Sequence, residues 1–317
     1  MSRDRGYFAR AYRDSFRPFG PVQTLPASGL HLLHRALPDG HFDLAGLYPY
    51  SCATNWAALP GDIADLRGSG AVAVSMVTDP FAEDPAQQAT QGWQLQTPFK
   101  THFIVDLAQD WRAGRSRNTR YYATRGLALQ DMKVRDDPAA FAKPFWALYA
   151  AAAERLDMGA LQRMSPQIIA DHLTLAGAFL VTAHAGDRLT GAMITVQNGD
   201  TAYLHLMGMV PDAVKLHTSY ALFHTALAHL ESLGCRYVSL GGAAGPRDDP
   251  EDGLYKFKKR WATETRRTWL VGAVLDAEAY ETLNVQSGMA KTGYFPAYRA
   301  PGSPLAWVPP QTDALRS

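Results

Sequence analysis

Apolar and polar positions in the second half of the chain alternate in short runs. Ala178–His184, Leu189–Val196 and Thr201–Met209 each carry the spacing of about two residues expected of a strand. Gly186–Asp187 and Asn198–Gly199 fall between them as tight turns, so the three runs predict an antiparallel meander. Before the meander, Phe141, Phe145, Leu148, Tyr149, Ala152 and Leu156 recur at helical spacing and predict one helix over 138–156, read as a hinge between two halves. Ser165 followed by Pro166 has the chemistry of a helix start, a capping hydroxyl and a residue with φ already set. After the meander the pattern predicts a helix over 218–233 with Phe223, Ala226, Leu227 and Leu230 turned to the core. A strand at Tyr237–Leu240, a glycine-rich turn, a basic helical segment Asp252–Trp261, a strand Thr268–Val274 and a helix near Ala277–Ser287 follow.

The first half is less regular. Leu30–Leu33, Ala71–Val77 and Thr101–Val105 are its clearest extended runs, Asn55–Leu66 and Asn118–Thr124 its helices, and the Pro- and Gln-rich stretch Asp79–Pro98 reads as a surface loop. A chain of 317 residues favours two domains at roughly 150 residues each. The division expected here is 1–135 and 136–284.

Composition narrows the class. Apolar residues make up 47% and charged residues 19%, a balance that supports a sizeable core and argues against disorder. A net charge of +1 supplies no overall field to steer a polyanion, so any attraction to phosphate rests on local clusters. Cys52 and Cys235, the only cysteines, stand in no metal or redox spacing, and a reducing cytoplasm is the expected compartment. Arg3, Arg5, Arg10 and Arg13 precede no apolar stretch, so the start is not read as a secretory signal, and no run reaches membrane-spanning length. His217, His224 and His229 lack an acidic partner at ligand spacing, so no metal is expected.

Three segments carry a resemblance. "GLYKFKKRWATETRR" (253–267), "SRNTRYYATRGLAL" (116–129) and "AYLHLMGMVPDAVKLHTSYALFHTALAHLESLGCRYVSLGG" (202–242) resemble the second acetyltransferase-like (GNAT) half of the FemAB family of acyl- and aminoacyl-transferring enzymes. The resemblance implies an α+β fold of tandem GNAT domains, each a mixed, mostly antiparallel sheet flanked by helices, with the first copy degenerate, 285–317 returning to that first copy, and the second copy catalytic. It implies an N-acyltransferase working in the cytoplasm, with no permanently bound cofactor. The donor is aminoacyl-tRNA or acyl-CoA, and the acceptor an amine on a small molecule or peptide.

The chemistry asks for a neutral amine, a carbonyl held in line and donors aimed at the developing oxyanion. GNAT folds splay two adjacent strands for this purpose, and Gly208 suits a bulge on the first of them. By resemblance Phe257 and Lys258 lie where the ester end of the donor enters. Asp248 in the acidic loop before them and His205, on the same strand face as Tyr203, are the candidate proton acceptors. Lys215, His217, Thr218, Ser219 and Tyr220 lie where the next helix begins and its unpaired amides face a donor phosphate. Lys256, Lys259 and Arg260, interleaved with Tyr255, combine phosphate contact with stacking. Arg117 and Arg120 in the second basic stretch, with Tyr203 and Tyr255, are candidates for the acceptor or the phosphates.

A CoA-using GNAT carries a Gln/Arg-x-x-Gly-x-Gly/Ala loop before that helix. Here the segment reads "VPDAVKLHTSYA", without a glycine, which favours aminoacyl-tRNA over acyl-CoA. A non-catalytic RNA- or phosphate-binding module on the same scaffold, or a purely structural degenerate GNAT, are the rivals from other classes. Each basic or aromatic residue also has an ordinary alternative as solvated surface or packed core.

Overall fold

The computed structural model describes residues 4–82, 93–135, 137–158, 163–245, 248–289 and 292–307. In chain order the elements are α1 (Arg10–Asp14), β1 (Val22–Thr24), β2 (His31–Ala36), β3 (Phe42–Gly46), α2 (Leu59–Asp65), β4 (Ala71–Val77), β5 (Leu95–Asp106), α3 (Arg117–Leu129), β6 (Asp131–Arg135), α4 (Ala142–Arg155) and α5 (Pro166–Leu173). Then come β7 (Ala178–Ala185), β8 (Arg188–Asn198), β9 (Thr201–Met209), α6 (Thr218–Ser232), β10 (Tyr237–Ser239), α7 (Gly253–Lys259), β11 (Glu264–Val274) and α8 (Ala277–Ser287). The result is an α+β fold of mixed sheet flanked by helices.

The chain divides into two compact units, one from the described residues of 1–12 and 100–266, the other from 13–99 and 267–312. This differs from the division expected at 135/136. Segment 100–135 packs with the later strands because Ile104–Asp106 pairs with β10, α3 packs on α6 and β6 pairs with β7. The 138–156 helix, expected as a hinge, lies wholly inside that unit, packed on β9 and α5. Of its apolar stripe, Phe145, Tyr149 and Ala152 are buried, whereas Leu156 is exposed. The expected loop at Asp79–Pro98 and the expected C-terminal return lie partly outside the described residues, at 83–92 and 308–317.

In the 13–99/267–312 unit, β1, β2 and β3 pair antiparallel, β3 lies parallel to β4, and β4 pairs antiparallel with Leu270–Val274 of β11. Leu30, Leu32, Leu44, Val74, Ala273 and Ile63 of α2 fill the core there.

The 100–266 unit holds the meander. β6–β7, β7–β8 and β8–β9 pair antiparallel, β9 lies parallel to β10, and β10 pairs antiparallel with β5. Leu222, Phe223, Ala226, Leu227 and Leu230 of α6 bury against Phe103, Val105, Val181, Met193, Ala202 and Val238 of the sheet. The Ser165 hydroxyl accepts the Ile168 N–H and starts α5, as its position before a proline predicts. Close approach of α3 to α6 depends on Gly126, where a Cβ would come within 2.8 Å of the His217 carbonyl oxygen. Gln130, at the end of α3, ties the layers together. Its carbonyl oxygen accepts from the Thr190 hydroxyl of β8 (2.7 Å) and the Thr218 hydroxyl of α6 (2.8 Å), and its amide donates to Leu216 O (3.0 Å).

Candidate active site

β9 and β10 run together only briefly. They pair at Thr201–Tyr237, Ala202–Val238 and Tyr203–Ser239; β10 then stops, while β9 continues to Met209 along β8. From Leu204 onward the β10-facing edge of β9 has no neighbouring strand among the described residues, which leaves backbone groups there for a partner other than sheet.

A bulge lies on that free stretch, at His205. Ile194 of β8 stands opposite Leu206 and Thr195 opposite Leu204, so His205 is the extra residue. The bulge reverses the alternation of β9. Ala202 and Leu204 before it, and Met207 and Met209 after it, all pack into the core beneath α6. The expectation of a bulge at Gly208 is thus corrected. Gly208 sits in regular register opposite Ala192, and its lack of a side chain admits α4, where a Cβ would come within 2.8 Å of Tyr149 N and 2.9 Å of Leu148 C.

His205 and Tyr203 share the face away from α6. Tyr203 is buried against Tyr7, ring centroids 4.8 Å apart, so it is a packing residue and not open to an acceptor. The His205 Nδ1 lies 2.7 Å from the Tyr7 hydroxyl, and its Nε2 lies 2.9 Å from His172 Nδ1 of α5. Burial holds both rings well below the ordinary histidine range, His172 at about 3, so the pair is neutral at physiological pH.

A cationic group gathers where β10 ends. Asp252 caps α7 by accepting the Tyr255 N–H at 2.8 Å, and the helix turns Lys258 back toward the strand exit. Lys258 Nζ donates to Gly242 O at 2.7 Å. Lys100 Nζ, on β5, donates to the carbonyl oxygens of Ala243 and Gly245 in the same turn. Burial, then the Lys100 cation, lowers the Lys258 pKa to about 7, against the pull of Asp252. Lys100 is lowered too, by burial. Beside them His102 is buried, 3.4 Å from the Ser239 hydroxyl, and held at about 3 by burial and the two lysine charges.

Sequence reasoning passed over Lys100, His102 and Ser239. The available signal was the alternation of Lys100 and His102 with Phe103 and Val105, which puts the polar pair opposite the core face of β5. Asp248 belongs to this neighbourhood, but one carboxylate oxygen accepts the Thr101 N–H at 2.8 Å and so fastens the turn to β5. The rest of the acidic loop is also local structure: Asp249 accepts the Glu251 N–H and Glu251 pairs with Lys256 at 2.7 Å.

The basic segment divides by direction. Lys256 and Lys259 are exposed, and Lys256 is paired in the way just described. Tyr255 packs edge-on against Phe103 at 4.8 Å, and Phe257 packs against Tyr220, Phe223 and Trp261 at 5.0, 4.9 and 6.5 Å. These aromatics belong to the core beneath α6 and do not form a stacking platform. Arg260 Nη1 donates to the Tyr220 hydroxyl at 3.1 Å, which joins α7 to the start of α6.

Before α6 the segment Pro211–Leu216 winds into a 3-10 helix closed by His217 in the left-handed conformation, φ 53°. The turn uses its own amides: Ala213 N donates to Val210 O and His217 N to Val214 O. Thr218 is buried and engaged with Gln130; Ser219 and Tyr220 form the first turn of α6; Lys215 is exposed. His217 stacks on Tyr122 of α3 at 4.7 Å. Arg117 is exposed on α3, and Arg120 turns back to the Ala113 and Arg115 carbonyls. No cluster of three or more His, Cys, Asp or Glu among the described residues could hold a metal ion, and no described helix is long and apolar enough to cross a membrane.

Residues 109–259 match the acetyltransferase (GNAT) domain family. Among solved structures the chain is similar to FemX (TM-score 0.62, 12% identity, 86% of this chain and 93% of that one covered). It is also similar to the C-terminal domain of a putative lysylphosphatidylglycerol synthetase from Agrobacterium fabrum (0.58, 16%, 89% and 92%) and to L-PGS from Bacillus licheniformis (0.55, 14%, 81% and 85%). No curated protein matches the chain significantly in sequence. Residues 109–259 thus carry the match to an acetyltransferase (GNAT) domain, and the chain shares the fold of FemX.

Proposed function

We propose that this acyltransferase moves an aminoacyl group from aminoacyl-tRNA to an amine of a small molecule or peptide. The choice of donor is carried by the turn before α6. A CoA diphosphate needs free amides in a glycine loop at that place, whereas Pro211–His217 is a closed 3-10 turn without glycine whose amides bond internally. The fold likeness to FemX and to a lysylphosphatidylglycerol synthetase domain is in keeping with that donor.

In this reading the ester carbonyl lies against the unpaired edge of β9, and the amine attacks its carbon. The C–N bond forms, the C–O bond to the ribose breaks, and the proton lost by the amine ends on the departing ribose hydroxyl. Lys258, its pKa lowered to about 7 by burial and the Lys100 charge, stabilises the carbonyl oxygen from the end of β10. The 13–99/267–312 unit is then the degenerate copy of the fold.

Acyl-CoA as donor is the second reading, favoured by the acetyltransferase domain match. The experiment is product formation from radiolabelled aminoacyl-tRNA and a panel of amines, with and without RNase. Product that disappears with RNase is expected. Product formed from a CoA thioester alone and indifferent to RNase replaces the first reading with the second. Retention of tRNA without product for any amine points instead to a non-catalytic RNA-binding module.

A further inference from the structure

We infer that Arg115 and Trp261 form a binding site for a phosphate group. Arg115 directly precedes the cap of α3 and is 6% exposed. Its Nη1 reaches the Arg260 carbonyl oxygen at 3.4 Å, and its Nε and Nη2 are buried with no hydrogen-bond partner. The guanidinium carbon lies 5.4 Å from the ring centre of Trp261 and 5.9 Å from that of Trp111. Trp261, itself 1% exposed, has its indole N–H buried and without a partner as well. Trp111 differs: its N–H donates to Glu231 at 3.2 Å, and the same carboxylate takes both Arg112 nitrogens at 2.9 and 2.6 Å.

Two side chains in contact distance thus contribute three buried donors and no acceptor. A buried donor left without an acceptor is unfavourable, more so when it carries charge, and cation–π attraction to two indoles offsets only part of that. Burial lowers the Arg115 pKa to about 10, so the group stays charged at neutral pH. A donor-only, cationic constellation is complementary to an anion.

The surroundings select phosphate over carboxylate. Arg120 is linked to Arg115 through the Arg115 carbonyl, and Arg260 through its own, and both direct their guanidinium hydrogen bonds to backbone carbonyls or the Tyr220 hydroxyl instead of to an acid. A buried guanidinium with no carboxylate among its hydrogen-bond partners, joined by an indole N–H, suits a group with several charged oxygens. The link from Arg260 to Tyr220 places this group by the start of α6. Assigning the phosphate to the acyl donor rests on the function proposed above; the site itself does not.

The experiment is thermal unfolding of the full chain titrated with inorganic phosphate, with acetate at matched ionic strength as the carboxylate arm. Phosphate raises the Tm of the wild type more than acetate does, and Arg115→Gln weakens phosphate binding by about tenfold or more, the factor expected for a lost charged hydrogen bond. Trp261→Phe weakens it by less. Equal stabilisation by acetate, or unchanged affinity in Arg115→Gln, overturns the site. Should Arg115→Gln not fold, Arg115→Lys takes its place: phosphate affinity lowered severalfold supports the site, and an unchanged affinity sinks it. Competition between phosphate and aminoacyl-tRNA then assigns the site to the donor. Binding without competition keeps the site and removes only that assignment.

Discussion

The ammonium nitrogen of Lys258 lies 2.7 Å from the carbonyl oxygen of Gly242, and the preceding Gly241 holds a left-handed backbone, φ 78°, in which a Cβ would stand 3.0 Å from that nitrogen. The strand exit is therefore shaped around the lysine. A Lys258 cation acting on a carbonyl oxygen is present in full below about pH 7 and disappears above it. Lys258→Ala should lower kcat by about 10²–10³, the usual range for a lost oxyanion donor. Lys258→Arg should keep part of the activity and move the alkaline limb of the pH–rate profile upward, because an arginine does not titrate there. An alkaline limb identical in the two proteins would remove the cation from the mechanism.

Acid should destabilise the 100–266 unit well above the carboxylate range. His172 and His102, at about 3, and His205, lower than usual as well, are neutral in the folded protein at pH values where the unfolded chain protonates them. The unfolded state binds more protons from the ordinary 6.5 downward, so stability falls with pH in that window, by up to about 1.4 kcal/mol per unit for each ring. The Tm measured from pH 7 to pH 4 should drop steeply, and His172→Asn should flatten the slope. A flat wild-type profile contradicts the burial of these rings.

Gly208→Ala should act on stability and not on chemistry. The added methyl meets backbone atoms of Leu148 and Tyr149 at 2.8–2.9 Å, so α4 must shift, at a cost of about 1–3 kcal/mol. Denaturant unfolding gives the loss, and kcat per folded molecule should stay near wild type. A large loss of kcat with unchanged stability would restore Gly208 to the reacting centre.

In the other unit Asp43 is fully buried and bonded to both Arg35 (2.8 Å) and Arg299 (2.9 Å). Arg299 also donates to Leu305 O and Ala36 O, at 2.8 Å each, and so fastens the chain's late segment to β2. Arg299→Met leaves part of a buried charge uncompensated and should cost about 3–5 kcal/mol. Chemical denaturation reads this directly; a change below about 1 kcal/mol, the range of surface pairs, shows the network to be solvated.

Most of the strands and helices of the 100–266 unit were legible, because hydrophobic period and turn chemistry act locally. Thr201–Met209 falls where the pattern puts it, and the core stripe of α6 is the one its spacing predicts. The bulge was not legible. His205 and Gly208 are equally good strand residues by pattern, and the extra residue is defined only by where β8 happens to pair.

The sequence by itself determined the order of elements, the faces they bury and the basic-aromatic segment before β11, since each depends on residues within a few positions of one another. Tertiary structure alone decided the unit boundary, the bulge and the company Lys258 keeps. Lys100 and Lys258 stand far apart in the chain and meet in one turn through strand pairing, and the pKa of a charge depends on such neighbours and on loss of water, neither of which is written in local pattern.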